Sequence, residues 1–149
     1  MIRVQTDDFD IGAEVAALTG GRTDIGAVVT FSGLVRDASG SAPVTSMELE
    51  HYPGMTEKEL ARIEAEAHER WPLQATLIVH RVGRLAPGDN IVLVIAASAH
   101  REAAFEAASF LMDYLKTRAP FWKREEGAGK AHWVDARESD DKAATRWKR

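Results

Sequence analysis

Between Tyr114 and Glu125 the chain reads Tyr-Leu-Lys-Thr-Arg-Ala-Pro-Phe-Trp-Lys-Arg-Glu. Lys116, Arg118, Lys123 and Arg124 put four cations into nine positions, with Phe121 and Trp122 between them. One or two basic residues near a helix C-terminus complement the carbonyl end of the helix dipole. Four around a Pro-Phe-Trp wedge exceed that need. Cations held close on partly apolar ground suit an anionic small molecule or a carboxylate tail. A lysine crowded by other cations gives up its proton more readily than usual. A neutral amine then serves as nucleophile or general base, and its protonated form donates. Lys116 and Lys123 are the candidates for that chemistry, and the turn at Pro120 lets both face one pocket.

Three further signals lie elsewhere. His100-Arg101 falls where an apolar strand hands over to the longest helical pattern. Free amides at a helix start attract anions, and an Arg beside a His strengthens the attraction; the plainer reading is an exposed first turn. Arg36 precedes a Ser/Gly/Ala/Pro-rich loop, Asp37 to Pro43, that can close over a ligand. Arg137 stands beside Glu138 and Asp140 and reads first as a salt-bridging residue. Phe31, on the same strand as Arg36, reads as core.

The elements that must position these residues follow from periodicity. Ile2–Gln5 alternates as a short strand. Asp7 or Asp8 caps a helix with Ile11, Val15 and Leu18 on one side, closed by Gly20-Gly21. Residues 26–36 and 44–51 read as strands, the second with Met47 and Leu49 on one face. Thr56 and Glu59 fit a capping box for a helix that carries Leu60, Ile63, Ala67 and Trp71 on one stripe, with His68 on its solvated side. Residues 76–83 and 90–99 read as antiparallel strands, the second central. Residues 102–118 form the longest helix, burying Phe105, Ala108, Met112 and Leu115. Two short strands, 121–125 and 132–136, flank a Gly127-Ala-Gly129 turn, and the tail from Asp141 has helical spacing.

The totals bound the reading. A chain of 149 residues with 45% hydrophobic content is the size of one domain with a real core, spanning 1–149. A net charge of -4 argues against general nucleic-acid binding. With no cysteine there is no disulfide framework, thiolate metal site or cysteine nucleophile. No signal-like segment opens the chain, and its longest apolar run, Ile91–Ala97, is far short of the ~20 residues of a membrane helix. A soluble cytoplasmic protein is expected. Metalloprotease, Walker A, dinucleotide-binding and nucleophile-elbow motifs are all missing from the sequence.

Five segments, 27–36, 49–57, 98–101, 112–125 and 133–140, resemble the large, catalytic subunits of molybdopterin synthase in order and spacing. The Lys-Thr-Arg-Ala-Pro-Phe-Trp-Lys-Arg-Glu run is the most specific of them. The resemblance implies an α+β, α/β-hammerhead-like fold: a mostly antiparallel sheet packed with helices, plus a small C-terminal β segment. It implies a sulfurtransferase that converts cyclic pyranopterin monophosphate (precursor Z) to molybdopterin. The sulfur comes from the thiocarboxylated C-terminus of a small ubiquitin-like carrier subunit. It further implies a homodimer within a heterotetramer; the five scattered histidines give no metal-ligand spacing, and no cofactor is expected. By position, Lys116 matches the lysine beside the carrier's tail, and Lys123 the second essential lysine. Arg124 and Glu125 match substrate contacts, His100 and Arg101 the pterin-phosphate contacts, and Arg36 the loop arginine. Phe31 and Arg137 match residues lining the site. Where the family often carries a lysine, this chain has Leu34, which reduces Leu34 and Val35 to backbone contacts.

Residue chemistry and resemblance agree on three points. A phosphate ester suits the cations, an acidic tail suits Lys116, and a chain without cysteine takes its sulfur from elsewhere. Two other functions share part of the pattern: an adaptor docking an acidic peptide tail in a basic groove, and an RNA-binding module stacking bases on Phe121 and Trp122. The adaptor needs neither His100-Arg101 nor Arg36, and the acidic total opposes the RNA reading.

Overall fold

The computed structural model describes residues 1–39, 42–127, 130–134 and 138–148. Its elements run β1 (Ile2–Gln5), α1 (Ile11–Thr19), β2 (Ala27–Leu34), β3 (Ala38–Ser39), β4 (Ala42–Pro43), β5 (Ser46–His51) and α2 (Met55–Arg70). They continue with β6 (Leu73–Arg81), β7 (Gly83–Leu85), β8 (Asn90–Ser98), α3 (Arg101–Arg118), β9 (Phe121–Gly127), β10 (Lys130–Val134) and α4 (Glu138–Thr145). One sheet has the order β1-β6-β8-β2, the other β10-β9-β5-β7. β1 and β6 pair in parallel, whereas the other ladders of both sheets are antiparallel. The segment 37–43, expected as an open loop, contains the short β3–β4 ladder.

β8 lies in the middle of the first sheet because it is apolar on both faces. Leu93 and Ile95, with Leu77 and Val79 of β6, pack under Phe9 and α1. Val92 and Val94, with Ile78, pack on the other face against Leu60, Ile63, Phe110, Leu111 and Leu115 of α2 and α3. The strict alternation is the period of two expected of a pleated strand. Ala96 of β8 meets Ala107 and Ala108 of α3, so the helix settles close to the sheet. The Pro-Gly turn after Ala86 does join antiparallel neighbours, but β7 peels away at Gly83 to edge the second sheet.

Several local expectations are corrected. Asp10, not Asp7 or Asp8, caps α1, accepting from the Ala13 amide at 2.9 Å. Asp8 is engaged by the Phe9 amide and Asn90 instead. α2 is capped two residues earlier than the Thr56–Glu59 box. Gly54 stands at its N-cap with φ 85°, and the Glu57 carboxylate accepts from the Gly54 amide at 2.6 Å. Thr56 is fully buried, donating to the Tyr52 carbonyl and accepting from its amide. Phe105 is 61% exposed and Phe110 takes the core position, because α3 turns its alanines rather than Phe105 toward β8. Phe31 is likewise 42% exposed, on the outer strand of its sheet.

At the far end, Trp71, Phe110 and Trp147 meet edge to face, with centroids 5.2–5.6 Å apart. Asp113 receives Arg146 and the Trp147 indole N–H, at 2.8 and 2.6 Å. These contacts lay α4 along α3. Phe110 has no exposed surface and touches Trp71, Tyr114, Trp147 and the Arg70 guanidinium. Phe110→Ala is therefore expected to cost about 3–5 kcal/mol in urea unfolding; a loss below about 1 kcal/mol would show that α4 is not anchored there.

Candidate active site

α3 ends at Arg118 because Pro120 follows: the residue before a proline is pushed out of the helical region, and Ala119 has φ -73° and ψ 136°. The chain reverses and enters β9 directly. Along β9, Phe121, Lys123 and Glu125 share one face, since side chains alternate along a strand. Opposite them on β5 stand His51, Leu49 and Met47. This paired face, the end of α3 and the segment after β2 enclose a cleft of about 530 Å3. Lys116, Lys123, Glu125, Arg36, Leu34 and Val35 all line it, as do His80, Trp122 and Asp140.

The electrostatics of the cleft are mixed. Lys116 and Arg36 are exposed, while Glu125 is 95% buried. Lys123 Nζ lies 3.8 Å from Glu125 Oε1. Glu125 Oε2 is buried with no hydrogen-bond partner among the described residues. A buried polar oxygen left without a donor costs free energy. Glu125 itself lines the cleft. Val35 is a different case. Its amide donates to the Asp89 carbonyl and its own carbonyl accepts from Gly88, so its backbone is held within this chain. Leu34 presents an exposed apolar side chain at the rim.

Other expected residues lie elsewhere in this chain. Arg124 falls on the opposite face of β9, near Glu126 at 3.9 Å, and does not line the cleft. Arg118 turns back over the Tyr114 ring and pairs with Glu66. His100 and Arg101 are exposed at the start of α3, about 22 Å from Lys116 at a helical rise of about 1.5 Å per residue. Phe31 is exposed on β2 outside the cleft. Arg137 lies outside the described residues.

Residue-by-residue reading of the sequence passes over two cleft groups. Asp140 reaches the cleft from α4, whose docking depends on long-range contacts. His80 interrupts the run Leu77-Ile-Val-His of β6, and a lone histidine in an apolar strand was the available signal. It is 5% exposed and stacks on Phe121, centroids 3.8 Å apart and planes 16° off parallel. His68, expected in solvent, is exposed but meets Thr76 Oγ1 at 2.9 Å. Thr76 gives its proton to Glu64, so His68 can only donate to it, and the trio is no nucleophile–base pair.

The chain is mixed α+β, with a lysine- and carboxylate-lined cleft. The chain belongs to the MoaE protein family, which matches residues 4–118. It is 62% identical to the molybdopterin synthase catalytic subunit of Mesorhizobium japonicum over 149 residues, covering 99% of this chain and 92% of the relative. Among solved structures it resembles the molybdopterin biosynthesis MoaE protein of Burkholderia ambifaria (TM-score 0.85, 56% identity, 99% and 97% of the two chains). It also resembles molybdopterin synthase from Staphylococcus aureus (TM-score 0.83, 32% identity, 89% and 96%).

Burial pushes the His80 pKa from 6.5 down to about 4, with the Lys116 and His51 charges adding to it and the Arg81 carbonyl opposing. The unfolded chain therefore takes up this proton before the folded one. The contribution to stability is complete above pH 6.5 and is lost as the pH falls toward 4, amounting to about 3 kcal/mol. Urea unfolding between pH 7 and 4 should show this loss, and His80→Phe should remove most of it. An unchanged slope in that variant would contradict the assignment.

Proposed function

We propose that the cleft is the sulfur-transfer centre of a molybdopterin synthase catalytic subunit. In this reading the chain converts cyclic pyranopterin monophosphate to molybdopterin, taking sulfur from the thiocarboxylated C-terminus of a small ubiquitin-like carrier. The observation that carries the reading is the convergence of Lys116, Lys123 and Arg36 in one cleft with a buried Glu125 oxygen awaiting a donor. The cations meet the phosphate and the carrier's anionic tail. Glu125 accepts from N–H groups of the pterin. A docking site for acidic peptides alone would not bury an unpaired carboxylate oxygen in its wall, so the adaptor reading is disfavoured. Lys116 handles the thiocarboxylate and its protons, and Lys123 holds and activates the pterin. The chain acts as one domain, 1–149, in the cytoplasm; among its described residues no helix is long and apolar enough to cross a membrane.

One helix length separates Arg101 from Lys116, which favours a site to which two chains contribute. A second copy supplies His100 and Arg101 in this reading, with Phe31 at the same junction. The exposed apolar side chains Val28, Phe31 and Leu34 on the open edge of β2, with Phe105 on α3, support a homodimer that covers that side. A carrier subunit on each copy completes a heterotetramer. Purified Lys116→Ala, given precursor Z and thiocarboxylated carrier, should form molybdopterin about a hundredfold more slowly or worse. Near-normal turnover would remove Lys116 from the chemistry.

A further inference from the structure

We infer that His80 is a positioning residue of this cleft, acting through Lys116 and Phe121 rather than by touching substrate. The inference rests on the sulfur-transfer reading and adds a residue to it. His80 belongs to the first sheet, yet its ring crosses to stack on Phe121, the first residue of β9 in the second. That strand presents Lys123 and Glu125 two and four residues later on the same face. The stack thus fixes the strand start from which both side chains are aimed. His51, the cross-strand neighbour of Phe121, lies with ring centroids 6.2 Å away and is itself held by Thr56 Oγ1 at 3.1 Å.

The ring's tautomer follows from one contact. His80 Nδ1 lies 2.8 Å from the Arg81 carbonyl oxygen, which can only accept, so Nδ1 carries the proton. In the uncharged ring Nε2 is then an acceptor. The charged and titratable groups around it are Lys116 on α3, His51 on β5, Lys123 and Glu125 on β9, Arg36 beyond β2 and Asp140 on α4. His80 and Lys116 line the same cleft, and Lys116 and His51 both bear on the His80 charge. A second cation there would repel Lys116 and favour loss of its proton. A buried neutral ring, its Nε2 an acceptor, instead favours the ammonium. A phenylalanine would fill the same space without burying a polar ring, so packing alone does not account for histidine.

Two substitutions separate these parts. His80→Phe keeps a stacking ring and removes the acceptor; His80→Gln keeps an acceptor and a donor for the Arg81 carbonyl. Folded His80→Phe should lose about tenfold in kcat. Its basic pH limb should move down by about one unit, with the KM for precursor Z within about twofold of wild type. His80→Gln should recover most of the loss. Wild-type kcat and an unmoved limb in folded His80→Phe would overturn the inference. If that variant does not fold, NMR titration of His80 decides: Lys116→Met should raise its midpoint, and an unchanged midpoint overturns the coupling. Failure of wild type itself to make molybdopterin would count against the sulfur-transfer reading, while the titration would still judge the electrostatic coupling of His80 to Lys116.

Discussion

The close contact between α3 and β8 sets the geometry on which the rest depends. Ala107 and Ala108 against Ala96 let the helix lie near the sheet, and the Phe110 cluster locks its far side. With α3 fixed, its end delivers Lys116 to the cleft and its start carries Arg101 about 22 Å away. Pro120 then turns the chain into β9, so Lys123 and Glu125 enter the same cleft from a different sheet. A site built this way stands on rigid elements, which hold catalytic side chains more accurately than loops do.

The cleft combines opposite electrostatic tendencies. Its cations suit a phosphate and a carboxylate tail, while the buried Glu125 oxygen suits nitrogen-bound protons. A pterin monophosphate offers both kinds of group, a plain anion only one. His80 adds a neutral wall where another charge would weaken Lys116. The arrangement costs stability, as functional sites commonly do, and the apolar packing on both faces of β8 offsets it.

Much of the architecture was legible in the sequence because local periodicity governs it. The alternation of β8, the stripe of α2 and the proline stop before β9 each depend on neighbours within a few residues. The failures have a different origin. Phe105 and Phe31 look like core residues in any local window, yet the close alanine contact and the open edge of β2 leave both exposed. The capping box at Thr56 was displaced because Thr56 was needed for the buried Tyr52 and His51 contacts. Lys116 and Lys123 were legible as a cation cluster, but the alternation of β9 separates Lys123 from Arg124. His80 and Asp140 come from distant elements, and no local pattern connects them to the lysines.

The central claim is that each complete site draws Lys116 from one chain and Arg101 from another. It is tested most directly by mixing subunits of two inactive variants, Lys116→Ala and Arg101→Ala, under conditions that allow exchange. With random two-fold pairing, half the dimers are mixed and each of these contains one intact site, so about a quarter of wild-type molybdopterin formation should return. No recovery, with exchange verified by mass spectrometry, would contradict a shared site.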